Sequence, residues 1–401
     1  MKREIKGFIA GVITTAVLSA GAFTALGEPV EKTITAIYNG IKIYVDGNQI
    51  QTKDALGNEV KPFVYNGSTY LPLRAIAEAL GKEVIWEEPT NSVYIMQKPE
   101  KEEYKEVTVG TAAEFVKALG SNRKIILKPG VYDLSSVEQR NSPNSSVIWE
   151  PVSDGKELNL QNVKNLTIEG SSEGKTEITV TPRYAHIMNF DGAENITIKN
   201  IVAGHSPKEY ACDAGVLKFS NSRDISIGKS ELYGCGSIGL TLNRVQNLDM
   251  DQSVITQCSL RAFDISFSQD IRITQSKFSN GKEYDGFALI SSSDHITFEK
   301  CEITDNQFTW DFIAVPDSTD IVFNQCSFLN NVRIINENEP DYPNYFISSM
   351  LSEKEFCKVI IRDSILKGNK SNYLAVNKNN VTFENCKLED NTFRKGEYFK
   401  F

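Results

Sequence analysis

The chain is 401 residues long, room for two or more domains, and its 40% hydrophobic and 24% charged residues are those of an ordinary globular protein. A formal net charge of -9 argues against a nucleic-acid binder, because phosphate contacts need a basic surface. Phosphate loops, dinucleotide fingerprints, clustered metal ligands and Ser-His-Asp signatures are not found in the sequence.

The first element is an export segment. Lys2, Arg3 and Lys6 make a net positive start, Gly7 to Ala25 is uncharged and mostly apolar, and Ala20 and Ala22 offer an A-x-A-like cleavage site. This predicts a signal peptide over 1–25. The alternative is a retained membrane anchor, since about 19 residues nearly span a bilayer. The expected location is outside the cell or at the cell envelope, with membrane contact only through this segment if it is uncleaved. No cysteine precedes Cys212, which excludes a lipid-modified cysteine near the N-terminus.

Residues 37–97 read as a small α+β domain. Ile41 to Ile50 is a predicted hairpin turning at Asp46-Gly47-Asn48. Asn66-Gly67 is a second turn, leading into Ser68 to Gly81, where Pro72 suits the first helical position. Leu73, Ile76 and Leu80 share one helix face, and Gly81 suits the position after the helix. Val84 to Trp86 and Val93 to Ile95 are short strands around Asn91. The block, "GSTYLPLRAIAEALG" above all, resembles the copper amine oxidase N-terminal domain family. The resemblance implies a stalk, a spacer or envelope-contact module of exported bacterial proteins. Copper is not expected: the three histidines, His186, His205 and His295, all lie elsewhere. Residues 98–105 are charged, contain Pro99 and show no apolar period, as a linker would.

From residue 106 to 401 the chain repeats. An Asn/Asp-apolar-x-apolar unit places Leu166, Ile196, Ile225, Leu248, Ile271, Ile296, Ile321, Val359 and Val381 in one column. Most spacings are 22 to 30 residues, and the position two residues on is again apolar, as in short half-buried strands. Three such strands and three turns per coil make a right-handed parallel β-helix of at least nine coils, so the fold class is mainly β. Leu232, Ile255, Phe278, Ile303, Phe328, Leu366 and Leu388 form the second inward column. Met188/Phe190, Leu217/Phe219, Leu240/Leu242 and Phe263/Ile265 belong to the third.

Two ladders follow from the register. Ser230, Ser253, Ser276, Cys301, Cys326, Ser364 and Cys386 stand five residues after the column. Ten after it come Cys235, Cys258, Gly281, Asn306, Asn331, Asn369 and Asn391. At roughly 4.8 Å per coil, stacked asparagines can bond amide to amide and satisfy turn backbone. Seven cysteines in an exported chain would ordinarily suggest disulfides. Here five of them fill ladder positions; Cys212 and Cys357 lie off the ladders. A capping box at Thr111 to Glu114 opens a short helix through Leu119 that closes the lower end. The stretch from Val107 to about Asn391 resembles the pectate-lyase-like family. That resemblance implies the fold, and a membership that includes lyases, hydrolases, epimerases and adhesins.

The outward position of the third strand carries Asn159, Asn189, Lys218, Thr241, Asp264, Leu289 and Ala314. Extra residues at 177–186, 207–213 and 332–345 are expected between the second and third strands. They bring Arg183, Tyr184, His186, Lys208, Tyr210, Tyr342 and Tyr345 to that side, with His205 at an edge. Amide, cationic and carboxylate groups beside aromatics suit a polysaccharide, with Asn159, Asn189, Lys218, Asp264, Tyr184 and Tyr210 as contacts. If the protein is instead a lyase, epimerase or hydrolase, Lys218, Arg261 and Asp264 are the candidate catalytic residues. A lyase would add a Ca²⁺ ion, but no metal-ligand set is legible in the sequence. A hydrolase needs two carboxylates about 5 to 9.5 Å apart, and the column offers Asp264 alone. Asp294-His295 is expected in a structural turn.

Overall fold

The computed structural model describes residues 32–54, 57–87, 90–97, 104–142, 145–207, 213–234, 237–283, 285–334, 344–349, 358–376 and 380–394. The export segment, nearly all of the linker, Lys208, Tyr210, Cys212, Cys235, Tyr342 and Cys357 lie outside the described residues. The chain divides into two compact units, residues 1–101 and 102–401.

Among the described residues the first unit holds three antiparallel hairpins and one helix. Ile43–Val45 pairs with Asn48–Ile50, Phe63–Tyr65 with Ser68–Tyr70, and Lys82–Glu87 with Ser92–Gln97. Asp46-Gly47 and Asn66-Gly67 both turn in the left-handed region, the geometry that two-residue hairpins demand. Ser68–Tyr70 is therefore a strand, and the helix is confined to Leu73–Ala79. Pro72 is its N-cap, one residue earlier than expected. Ala75 and Ala77 are the buried helix residues, whereas Leu73 and Leu80 are exposed, so the leucine face is not the packed one.

The second unit is the β-helix, which among the described residues has three sheets of 14, 11 and 10 strands, parallel except for one pair at the first coil. All nine column residues, Leu166 to Val381, pair in one continuous register in the eleven-stranded sheet. None is more than 3% exposed. The Asn or Asp before many of them has a physical reason. Asn165, Asn195, Asp224, Asn247, Asp270 and Asp320 all take positive φ, which these residues tolerate best after glycine. His295 occupies the same place at φ 53° and contacts Asp294 at 2.9 Å, inside the strand Asp294–Glu299 and not in the turn expected before it. Phenylalanines fill the upper core, with Phe298 and Phe323 stacked at 4.6 Å.

Both ladders form. Asn306, Asn331 and Asn369 each donate Nδ2 to the next Oδ1 at 2.9, 3.0 and 2.9 Å, ending at Asn391. The second amide hydrogens reach the Phe278, Ile303, Phe328 and Leu366 carbonyls. In the other ladder Ser230 N donates to Ser253 Oγ and Ser253 N to Ser276 Oγ. Cys301, Cys326 and Cys386 are free thiols there, and Cys258 at its own position forms no disulfide among the described residues. Their Sγ atoms point to the carbonyls two residues back, as the serine hydroxyls do. A further serine ladder, Ser268, Ser293 and Ser318, lies three residues before the column.

At the lower end the helix is Ala112–Ala118, with Thr111 Oγ1 accepting from Glu114 N and Phe115 fully buried. A strand at Lys105–Val109, which begins inside the segment read as linker, pairs with Arg123–Leu127 and extends this cap. Val147–Val152 runs antiparallel to Gly155–Gln161, a departure from the parallel rule at the first coil.

Candidate functional site

The outward column is built as read. Asn159 pairs with Asn189, then Lys218, Thr241, Asp264, Leu289 and Ala314 follow in one register on the fourteen-stranded sheet. Strand side chains alternate faces, so burying Phe190, Phe219, Leu242 and Ile265 inward turns this column outward.

The loops that flank it only partly match the expectation. Thr176–Val180 is a strand of the ten-stranded sheet, so 177–180 are not inserted. The extra residues of that coil fall instead at Ser171–Lys175, on another corner of the helix, because Ile178 pairs with Ala203. There they wall a shallow cleft of about 470 Å³ with Asn200, Lys229, Glu231 and Gln252. Tyr184 and His186 do stand beside the column. Tyr184 is 45% exposed, and Asp154 anchors the turn by accepting from Arg183 N and Tyr184 N. His205 is not a loop residue. It ends the strand Val202–His205, is 2% exposed, and bonds through Nε2 to the Ala185 carbonyl at 2.9 Å. Burial pushes its imidazole below the ordinary 6.5.

The lower end of the column holds a carboxylate that the sequence reading missed. Glu157 lies two residues before Asn159 on the same strand, and hence on the same face. Its Oε2 meets His186 Nδ1 at 2.6 Å and accepts from His186 N at 2.7 Å, while Oε1 accepts from Asn189 Nδ2 at 3.0 Å. Asn189 Nδ2 also reaches Asn159 Oδ1. Burial pushes the Glu157 carboxyl up, but the bonds from His186 and Asn189 outweigh it and hold the group below the ordinary 4.5. Asn159 Nδ2, Asn189 Oδ1, His205 Nδ1 and, higher up, Thr241 Oγ1 are buried and have no partner among the described residues.

The middle of the column brings together two of the three candidate catalytic residues. Arg261 contacts Asp264 at 3.2 Å and also Asp285, a second carboxylate that the reading missed because it stands in the turn before its strand. Burial and the neighbouring Asp285 raise the Asp264 carboxyl above the ordinary 3.8, against the pull of Arg261. Lys218 is separate, two coils below Asp264, and makes no ion pair among the described residues. Trp310, 37% exposed, stands one coil above Asp285, since each lies three residues before the paired Ala288 and Ile313. Tyr345 and Tyr373 continue the aromatic run with ring centroids 5.4 Å apart. A Ca²⁺ ion does not fit the Asp264–Asp285 pair, because Arg261 holds both carboxylates and would repel it. Among the described residues no three His, Cys, Asp or Glu side chains converge as a metal site.

This geometry defines a right-handed parallel β-helix protein. Residues 214–393 match the right handed beta helix region family model, and residues 28–95 and 44–116 match the copper amine oxidase N-terminal domain. No curated protein matches the sequence. Among solved structures the chain is similar to pectate lyase Pel9A, with 8% identity, 75% of this chain and 79% of that one covered, and a TM-score of 0.47. It is similar to an alginate lyase from Paenibacillus sp. (9%; 72% and 99%; TM-score 0.34). PfbA, a surface adhesin of Streptococcus pneumoniae, is a third such structure (12%; 75% and 76%; TM-score 0.35). With TM-scores below 0.5, no activity is carried over from them.

Proposed function

We propose that this is an exported, cell-envelope-associated protein whose β-helix binds a polysaccharide along the outward column of the fourteen-stranded sheet. The observation that carries the reading is the run of polar and charged groups in register on that one face. Asn189, Lys218 and Thr241 follow one another coil by coil, and Arg261, Asp264 and Asp285 follow above them. Exposed Trp310 stands at the upper end, where a sugar ring can stack. A glycan chain laid along the helix axis would meet one such residue per coil, roughly every 4.8 Å, close to the length of a sugar unit. Export rests on the 1–25 segment and is tested by fractionation with N-terminal sequencing of the mature protein.

Retention on isolated cell walls or a glycan array tests the binding. Loss of retention in the Lys218→Ala/Asp264→Ala double variant, with the melting temperature kept, is the expected result. No retention by the parent protein on any glycan sinks the reading.

The raised Asp264 carboxyl beside Asp285 favours a second reading, a polysaccharide hydrolase with these two as acid and base. New reducing ends from neutral or acidic glycans would establish it, and unsaturated uronides would point instead to a lyase.

A further inference from the structure

The lower end of the column contains a device that glycan binding does not require. Glu157 can only accept hydrogen bonds as a carboxylate, so its 2.6 Å contact places a proton on His186 Nδ1, and in the neutral imidazole Nε2 is then the acceptor. Glu157 is itself fixed by Asn189 and by the His186 backbone, which sets the ring orientation. The imidazole is neither sealed in nor free in solvent: its side chain is 18% exposed. Gly215 lies against the ring edge. A Cβ there would stand 3.4 Å from Nε2 and 2.7 Å from the Ile238 carbonyl, so a glycine keeps the Nε2 side open. Beside the pair, Asn159 is 5% exposed and its Nδ2 donor is unused among the described residues, although its Oδ1 is tied into the same network.

A buried carboxylate that orients a histidine through Nδ1, with no partner for Nε2 among the described residues, is the arrangement of a general base. The geometry points to a hydrolytic site at Glu157–His186 that takes acyl esters carried on sugar hydroxyls. Two features select that chemistry. A histidine held by a carboxylate can take a proton from water, whereas removing a sugar C–H proton calls for a stronger base. Cleaving a glycosidic bond would use a pair of carboxyls, and those lie at Asp264 and Asp285.

In the reaction, a water oxygen bonds to the acyl carbon while its proton passes to His186 Nε2. The carbonyl π pair moves onto oxygen. Collapse breaks the bond between the acyl carbon and the sugar oxygen, which takes the proton back from Nε2. A carboxylic acid and a free sugar hydroxyl leave. His186 is the catalytic residue; Glu157 and Asn189 are positioning residues.

The test uses the full chain with two probes, 4-nitrophenyl acetate and acetylated xylan, reading nitrophenolate and acetate. The small ester reports on the dyad whether or not polysaccharide is bound, so failure here is separable from failure of the binding reading. The expected result is turnover by the parent protein, with kcat/KM at least about 100-fold lower in His186→Ala. Glu157→Gln lowers kcat with KM unchanged, and Glu157→Asp restores part of it, a pattern that loss of folding alone would not give. Gly215→Ala, which crowds Nε2, raises KM for acetylated xylan more than for the small ester. The proposal is overturned if the parent releases no acid from either probe between about pH 5 and 9. It is equally overturned if His186→Ala keeps its rate with an unchanged melting curve.

Discussion

Two stacks of polar side chains run along this β-helix, and they differ in one respect. In the Asn306–Asn331–Asn369–Asn391 ladder each bridging amide is bonded to the next, and the side chains of Asn306, Asn331 and Asn369 are at most 1% exposed. In the Asn159–Asn189–Lys218–Thr241–Asp264 column the stacking is equally regular, yet Asn159, Asn189 and Thr241 each keep an atom without a partner among the described residues. Registered stacking alone is thus not evidence of function. A polar ladder that satisfies itself is scaffold, because buried donors and acceptors cost free energy unless paired. One that leaves buried groups unpaired carries a cost that its own packing does not offset.

The contrast can be broken first at its stable side. Asn331→Ala takes the acceptor from Asn306 N and Nδ2 and leaves the Ile303 carbonyl without its amide donor. Urea denaturation should show a loss of about 3 to 5 kcal/mol, since several buried groups are orphaned at about 1 to 3 kcal/mol each. Ser253→Ala removes the acceptor of Ser230 N but orphans less, and about 1 to 2 kcal/mol is expected by the same measurement.

The acid limb of stability sharpens the comparison from the column's side. Glu157 is held below 4.5 in the folded protein, so its contribution is present above that pH and is lost as pH falls through the folded value. Melting temperatures taken from pH 7 down to about pH 3 should fall less in Glu157→Gln than in the parent, from a lower starting point. The smallest effect is expected at Thr241→Val, which exchanges an unpaired buried hydroxyl for a methyl of similar shape. Melting should be unchanged or slightly raised, by less than about 1 kcal/mol. Equal destabilisation by Thr241→Val and Asn331→Ala would remove the distinction between the two stacks.

The repeat was legible because its apolar columns recur with strand alternation, and inward positions tolerate little but apolar residues. The asparagine and serine/cysteine ladders were legible for the same reason, and the four described cysteines form no disulfide among the described residues. The Ser268–Ser293–Ser318 ladder carried the same signal three residues before the column and was passed over. In the N-terminal unit the Asn66-Gly67 hairpin was readable as a turn, but the helix face was not, since Ala75 and Ala77 rather than the leucines are buried.

The candidate site was legible only where it obeys the repeat. Lys218, Thr241 and Asp264 follow from register alone. Glu157 stands two residues before the column on its strand and Asp285 in a turn outside it, and their roles depend on partners 29 and 24 residues away in sequence. The placing of the first long coil's extra residues likewise turned on which strand Ile178 joined.

The sequence by itself therefore determined the coil, its inward columns and the outward polar stripe, because strand periodicity and burial constrain residue type at every repeat. Only the tertiary structure decided which of the stacked polar groups are satisfied. Hydrogen-bond closure depends on distances of a few tenths of an ångström between neighbouring coils, and on turns whose residues follow no period. That is why the chain announces a β-helix at once, while the pairs Glu157–His186 and Arg261–Asp285 emerge only when the coils are stacked.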